Sequence, residues 1–80
     1  MTGRVRITIH MHGNLRRFMP GGQDRAAMEV APATTIAALL ASLGAARDIW
    51  LVAVNGAVAD HDRVLDAEDV VDCFEPVAAG

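Results

Sequence analysis

The sequence predicts an α+β domain in which one main helix covers one face of a mixed β-sheet. An N-terminal segment alternates between apolar and polar residues, a later Ala- and Leu-rich segment repeats its large apolar residues at helical spacing, and short apolar runs fill the second half. The chain has 80 residues, 52% of them hydrophobic and 21% charged. This length and composition predict one folded domain with a single core.

The first strand is predicted by strict alternation over residues 4–12. Its apolar positions are Val5, Ile7, Ile9 and Met11. One face of this strand is therefore expected to be buried. Residues 13–24 contain a Pro-Gly-Gly turn signal, which predicts a hairpin loop. The alternation continues in a second strand at Ala26, Met28 and Val30, and Pro32 ends it.

The helix is predicted from Thr35 to Leu43. Its large apolar residues, at i, i+3, i+4 and i+7, are Ile36, Leu39, Leu40 and Leu43. Thr34 or Thr35 can cap the first turn, because a hydroxyl there accepts a hydrogen bond from an unpaired amide. Gly44 is placed to end the helix in the left-handed conformation. The apolar stripe is expected to pack on the sheet, since a domain this small needs a helix over its core.

Three further strands are predicted after the helix. Residues 49–54 form a continuous apolar run, as expected for a central strand covered on both faces. Asn55-Gly56 is a strong hairpin signal, because both residues tolerate positive φ, and residues 57–59 are the predicted return strand. A polar stretch with acidic clusters at 61–69 leads to the last strand at 70–75.

The predicted element order is β-β-α-β-β-β, which is the β-grasp, or ubiquitin-like, arrangement. We expect residues 1–75 to form this domain and residues 76–80 to form a flexible C-terminal tail. Pro76 has no amide proton for a sheet ladder, and the Ala-Ala-Gly end carries little apolar surface. Five extended residues reach roughly 17 Å, far enough to enter a pocket on another protein.

The last strand also predicts a contact surface. A carboxylate is costly to bury without a partner, so Asp72 is expected to point to solvent. Strand alternation then turns Val71 and Cys73 towards the helix, and Val70 and Phe74 away from it. An exposed Phe74 at the start of the tail predicts a partner-binding face, because exposed apolar patches often mark contact sites.

The histidines and the cysteine are the residues most suited to bind a metal. His10 and His12 lie on one strand face, at a spacing compatible with metal binding. However, His61 lies in a loop and Cys73 is expected to face the opposite side of the sheet. The sequence therefore predicts solvent-facing histidines, an unreactive core thiol at Cys73 and no metal site.

No catalytic apparatus is readable in the sequence. The acidic residues Asp60, Asp62, Asp66, Glu68 and Asp69 lack a calcium-loop spacing and are expected to form a solvated loop. Ser42 is the only serine, and no Ser-His-carboxylate set can be assembled around it. The Pro-Gly-Gly segment lacks the lysine and the helix of a phosphate-binding loop. The sequence therefore predicts no catalytic site and no cofactor.

Charge and hydropathy exclude other classes. The formal net charge is −3 with mixed signs, which argues against a nucleic-acid binder. No apolar run approaches the ~18 residues of a membrane span, and the N-terminus lacks the apolar region of a secretory signal. The chain is expected to be cytoplasmic.

Four segments resemble the ThiS/MoaD family of small ubiquitin-like sulfur carriers. They are the opening strand at 5–9, the helix at 35–40, the turn at 54–56 and the ending at 69–77. The turn and the ending are the more specific of the four. The C-terminal sequence is most similar to the small subunit of molybdopterin synthase.

This resemblance implies a carrier or substrate protein, and not an enzyme. It also implies that the carboxylate of Gly80 is adenylated and converted to a thiocarboxylate. The implied partners are an adenylating, ubiquitin-activating-like enzyme and the large subunit of a synthase. The implied sulfur acceptor is a pterin precursor in molybdopterin synthesis or a thiazole precursor in thiamine synthesis. The segment inserted into the partner would be Pro76, Val77, Ala78 and Ala79. Ala79 departs from the family, which usually ends in Gly-Gly.

The sequence leaves two other classes of function open. One is a ubiquitin-like interaction module or protein modifier that uses the Phe74 face without sulfur transfer. The other is a metal-binding or regulatory domain that uses His10 and His12.

Overall fold

A computed structural model of the chain describes residues 3–45, 49 and 51–75. The strands are β1 (Val5–Met11), β2 (Arg25–Val30), β3 (Leu51–Val54), β4 (Ala57–Val58) and β5 (Val70–Phe74), and the α-helix is α1 (Ile36–Ser42). The predicted β-β-α-β-β-β order is confirmed. Within the described residues, no helix is both long and apolar enough to cross a bilayer.

The strands form one mixed sheet in the order β2-β1-β5-β3-β4. β1 and β5 are parallel, and the other neighbouring pairs are antiparallel. The parallel pair is joined through α1 and the later strands, because parallel neighbours cannot be joined by a short turn. β5 is the middle strand, and β3, predicted as the central one, lies between β5 and β4. This is a β-grasp fold.

The helix lies against one face of the sheet and is capped as predicted. The Thr35 hydroxyl accepts a hydrogen bond from the Ala38 amide at 3.1 Å, and Gly44 follows the helix with φ of +74°. Leu40 is 1% exposed. Most of the predicted core is buried, namely Ile7, Ile9, Ile36, Leu39, Leu40, Val54 and Val71. Val5 and Leu43 are half-buried at its margin.

The segment between β1 and β2 was predicted as a plain hairpin loop and is more structured than that. It contains the 3₁₀ helices Gly13–Phe18 and Pro20–Gly22. Leu15 is fully buried and Met19 is almost so. Both side chains belong to the hydrophobic core, and their burial stabilises this segment.

Asp69 corrects the prediction of a solvated acidic loop, because it is buried. Its Oδ1 accepts a hydrogen bond from Asn55 Nδ2 at 2.9 Å. Its Oδ2 accepts hydrogen bonds from Arg63 at 2.9 Å and from the Asp66 amide at 2.8 Å. Burial by itself raises the pKa of Asp69, but the hydrogen bonds from Asp66, Arg63 and Asn55 outweigh it and leave the pKa below its ordinary value.

Candidate functional site

The candidate site is the face of the sheet opposite α1, which we call the open face. On β5, Val71 and Cys73 are fully buried, whereas Val70 is 37% exposed. Asp72 and Phe74 are half-buried on the same side as Val70. The predicted alternation of β5 is therefore confirmed.

Phe74 is less exposed than predicted, because a neighbouring ring covers it. The His12 ring stacks on the Phe74 ring with centroids 4.3 Å apart and planes inclined by 13°. On the other side, Leu51 of β3 pairs with Phe74 and is itself half-buried. Phe74 therefore belongs to a preformed, partly apolar surface at the end of β5.

Glu75 holds the end of β5 against the segment that follows β1. Its Oε2 accepts a hydrogen bond from the Asn14 amide at 3.0 Å. Gly13 has φ of +63°, and a Cβ added there would lie 2.7 Å from the same oxygen. Glycine is required at this position for both reasons. The chain is thus anchored at the last described residue before the tail.

The predicted tail lies outside the described residues. This holds for the predicted reactive residue Gly80 and for the inserted segment, which is Pro76, Val77, Ala78 and Ala79. Their roles stay predictions. The structure does describe the end of the domain, Phe74 and Glu75, from which the tail continues.

His10, His12 and Asp72 meet on the open face. Asp72 Oδ1 lies 3.2 Å from His10 Nδ1 and 3.0 Å from His12 Nε2. The two imidazole rings are 4.0 Å apart between centroids. The histidines lie on the open face as predicted, but they are half-buried and share a carboxylate. Asp72 also faces away from the helix, as predicted, but its carboxylate lies against both histidines.

Cys73 is a core residue, as predicted. It is fully buried, and burial, aided by the charge of Asp72, raises the pKa of its thiol to about 12. The thiolate, which is the nucleophilic form, is therefore disfavoured near neutral pH. The Ser42 hydroxyl donates a hydrogen bond to the Leu39 carbonyl at 2.7 Å. Neither side chain is placed as an activated nucleophile.

Comparison with known proteins identifies the family. The model of the ThiS family matches residues 12–80, from the end of β1 to Gly80. The chain belongs to the ThiS family. Proteins of the ThiS family are small carrier subunits with the ubiquitin fold and are not catalysts themselves. No curated protein sequence matches this chain.

Solved structures agree with the ThiS assignment at the level of the fold. The putative molybdopterin converting factor subunit 1 from Pyrococcus furiosus superposes with a TM-score of 0.74 at 20% identity, covering 91% of this chain and 99% of that one. Small archaeal modifier protein 1 from Haloferax volcanii gives 0.73 at 20% identity, covering 91% and 99%. The ubiquitin of Caldiarchaeum subterraneum gives 0.60 at 17% identity, covering 98% and 100%. These likenesses confirm the β-grasp fold.

Sequence reasoning missed the convergence of the two histidines with Asp72. It placed all three side chains on the open face, but it did not place them beside each other. The deciding contact is the parallel pairing of His10 with Asp72. The available signal was that β1 and β5 are the two central neighbours in the β-grasp arrangement, which brings their outward-facing residues together.

Proposed function

We propose that this ThiS-family protein is a sulfur carrier that is activated at the carboxylate of Gly80. The observation that carries the proposal is the family match, which continues through the tail to Gly80. The structure adds support, because β5 ends at a partly apolar surface beside Phe74 and is anchored there through Glu75. The proposal places the carrier in the cytoplasm, since its activation consumes ATP.

The chemistry requires activation because an α-carboxyl group, with a pKa near 3.5, is an anion at neutral pH and a poor electrophile. An adenylating enzyme couples Gly80 to AMP and releases pyrophosphate. The terminal sulfur of a cysteine persulfide then attacks the acyl carbon and expels AMP. Cleavage of the acyl disulfide by a thiol leaves the thiocarboxylate. Glycine suits this position, because no Cβ hinders the attack and the backbone bends freely in a narrow channel.

The acceptor is proposed to be a precursor of molybdopterin or of the thiamine thiazole. In the first case, the large subunit of a synthase is a second partner. One structural neighbour is described as a molybdopterin converting factor subunit, which favours the molybdopterin branch. The proposed inserted segment is Pro76 to Ala79, and Phe74 belongs to the proposed partner-binding face.

A second candidate function is that of a ubiquitin-like modifier or interaction module without sulfur transfer. The observation that favours it is the likeness to small archaeal modifier protein 1 and to a ubiquitin. Ala79, where the family usually has glycine, is consistent with this alternative. The two functions differ in one product: only a sulfur carrier forms a C-terminal thiocarboxylate.

Deleting Gly80 is expected to abolish ATP-dependent adenylation, because the carboxylate of Ala79 would lie one residue short of the attacking site. The measurement is pyrophosphate exchange with adenylating enzymes from the same organism, using protein without a C-terminal fusion. Ala79→Gly is the matched variant and is expected to hold or raise the rate, since it removes a methyl group and frees the backbone. Circular dichroism melts show whether each variant is folded.

Two results would count against the sulfur-carrier proposal. One is the absence of an acyl-adenylate from both wild-type protein and Ala79→Gly. The other is the absence, in protein isolated from its native cells, of the mass increase expected when sulfur replaces one oxygen of the C-terminal carboxylate. If the C-terminus of this chain is found joined to a lysine of another protein instead, the modifier function replaces the carrier function.

Replacing Phe74 with alanine is expected to weaken binding to the adenylating enzyme about tenfold or more, as for aromatic anchors at interfaces. Loss of the stack on His12 should lower the free energy of unfolding by about 1 kcal/mol. Val70→Ala is the matched control, since Val70 lies on the same strand and face. Isothermal titration calorimetry measures the binding. Equal affinities for the two variants would contradict a partner-binding role for Phe74.

A further inference from the structure

The cluster of His10, His12 and Asp72 is not used by the proposed sulfur-carrier function. Its three side chains are 20%, 35% and 23% exposed, respectively. All three side chains are therefore partly, and not fully, removed from solvent. Their ligand atoms all lie within 4.8 Å of one another.

The distances match those between the ligands of a tetrahedral metal ion. With metal–ligand bonds of about 2.0–2.1 Å, adjacent ligands in a tetrahedral site are about 3.3 Å apart. The distances from Asp72 Oδ1 to His10 Nδ1 and His12 Nε2 are 3.2 and 3.0 Å. The third distance, between the two ring nitrogens, is within 4.8 Å, so the rings have to turn towards each other where this distance exceeds about 3.3 Å.

The position of the three residues makes this arrangement stable. His10 pairs directly with Asp72 across the parallel strands β1 and β5, so the sheet itself sets their separation. His12 is held by its stack on Phe74. His10 and Asp72 thus lie on paired strands and His12 directly follows β1, so little backbone order has to be gained when the ion binds.

Two charged residues near His10 have opposite effects on the binding of a cation. Its Nε2 lies 4.0 Å from an Asp24 carboxylate oxygen, which is too far for a hydrogen bond, but the negative charge of Asp24 favours a cation nearby. An Arg25 guanidinium nitrogen lies 3.4 Å from His10 Nδ1, the proposed ligand atom. Arg25 is exposed and can move aside, but its charge opposes a cation.

We propose that His10, His12 and Asp72 bind a divalent transition-metal ion of the zinc type. Imidazole nitrogens with one carboxylate suit Zn²⁺ better than Mg²⁺ or Ca²⁺, which prefer oxygen ligands. The ion replaces the protons through which the two rings would donate to Asp72 Oδ1. Three protein ligands leave a fourth position for water or for a group from a partner. This proposal does not depend on sulfur transfer.

The test is calorimetric titration of the full chain, free of any polyhistidine tag, with ZnCl₂. We expect saturable binding of one ion. His10→Gln, His12→Gln and Asp72→Asn should each weaken binding at least about tenfold. The amide side chains keep hydrogen-bonding groups at these positions, so thermal melts should show folded variants.

His61→Gln is the matched control, because it removes the remaining histidine and should leave the Zn²⁺ affinity unchanged. Arg25→Gln is expected to raise the affinity several-fold by removing a nearby positive charge. NMR spectra of the histidine rings should shift for His10 and His12 on addition of Zn²⁺, and not for His61. Absence of saturable binding to the wild-type chain, or loss of binding in His61→Gln alone, would overturn the proposal.

Discussion

Asp69→Asn is expected to lower the free energy of unfolding by about 2–3 kcal/mol, because hydrogen bonds to a charged group are among the stronger ones. The carboxylate of Asp69 accepts three hydrogen bonds that join the β3–β4 turn, Arg63 and the start of β5. An amide would offer one acceptor oxygen in place of two and leave Arg63 without its charged partner. Urea denaturation at pH 7 measures the loss.

The same substitution should change how stability depends on pH. The folded-state pKa of Asp69 is lowered, so its stabilisation is fully present above the unfolded-state pKa of about 3.9. The stabilisation is lost as the pH falls from there through the lower, folded-state pKa. The difference between wild type and Asp69→Asn should therefore be constant at neutral pH and shrink below about pH 4.

Asp66→Asn is the matched control for this prediction. Asp66 is exposed in the same turn, and the group it gives to Asp69 is its backbone amide. Its substitution should change stability by less than about 0.5 kcal/mol. If the two substitutions lowered the free energy of unfolding equally, Asp69 would contribute no more to stability than an exposed acidic residue of the same loop.

Leu40→Ala is expected to cost about 2–5 kcal/mol of the free energy of unfolding. Leu40 is 1% exposed and lies where α1 packs on the sheet, so the substitution leaves a cavity between two rigid layers. The loss cannot come from helix propensity, since alanine is the better helix former. Denaturant unfolding followed by circular dichroism measures the effect.

Leu43→Ala tests whether burial sets the size of this loss. Leu43 is the residue that follows α1 and is half-buried at the margin of the same core. The chemical change is identical, but less apolar area returns to water, so the cost should be clearly smaller. A loss at Leu43 that equals or exceeds the loss at Leu40 would contradict the placement of the helix over the sheet.

The local elements could be predicted because each depends on near neighbours in the sequence. The alternation of β1, the Thr35 cap and the Asn55-Gly56 turn are confirmed, and both turn residues have positive φ. The outward direction of Phe74 also followed, from the cost of burying Asp72 on the helix side. Together with the family resemblance, these signals were sufficient for the β-grasp fold and for the proposal that Gly80 is the reactive residue.

Only the tertiary structure decided which polar groups meet. His12 and Asp72 are 60 positions apart, and the parallel register of β1 and β5 brings them together. Asp69 was predicted to be solvated because nothing in its local sequence shows that Asn55 and Arg63 converge on it. Burial of a charge is decided by partners that satisfy it. Those partners come from distant segments, so the local sequence does not show them. The periodicity of the sequence determined the strands and the direction of their faces. The pairing between strands determined which side chains meet on the open face.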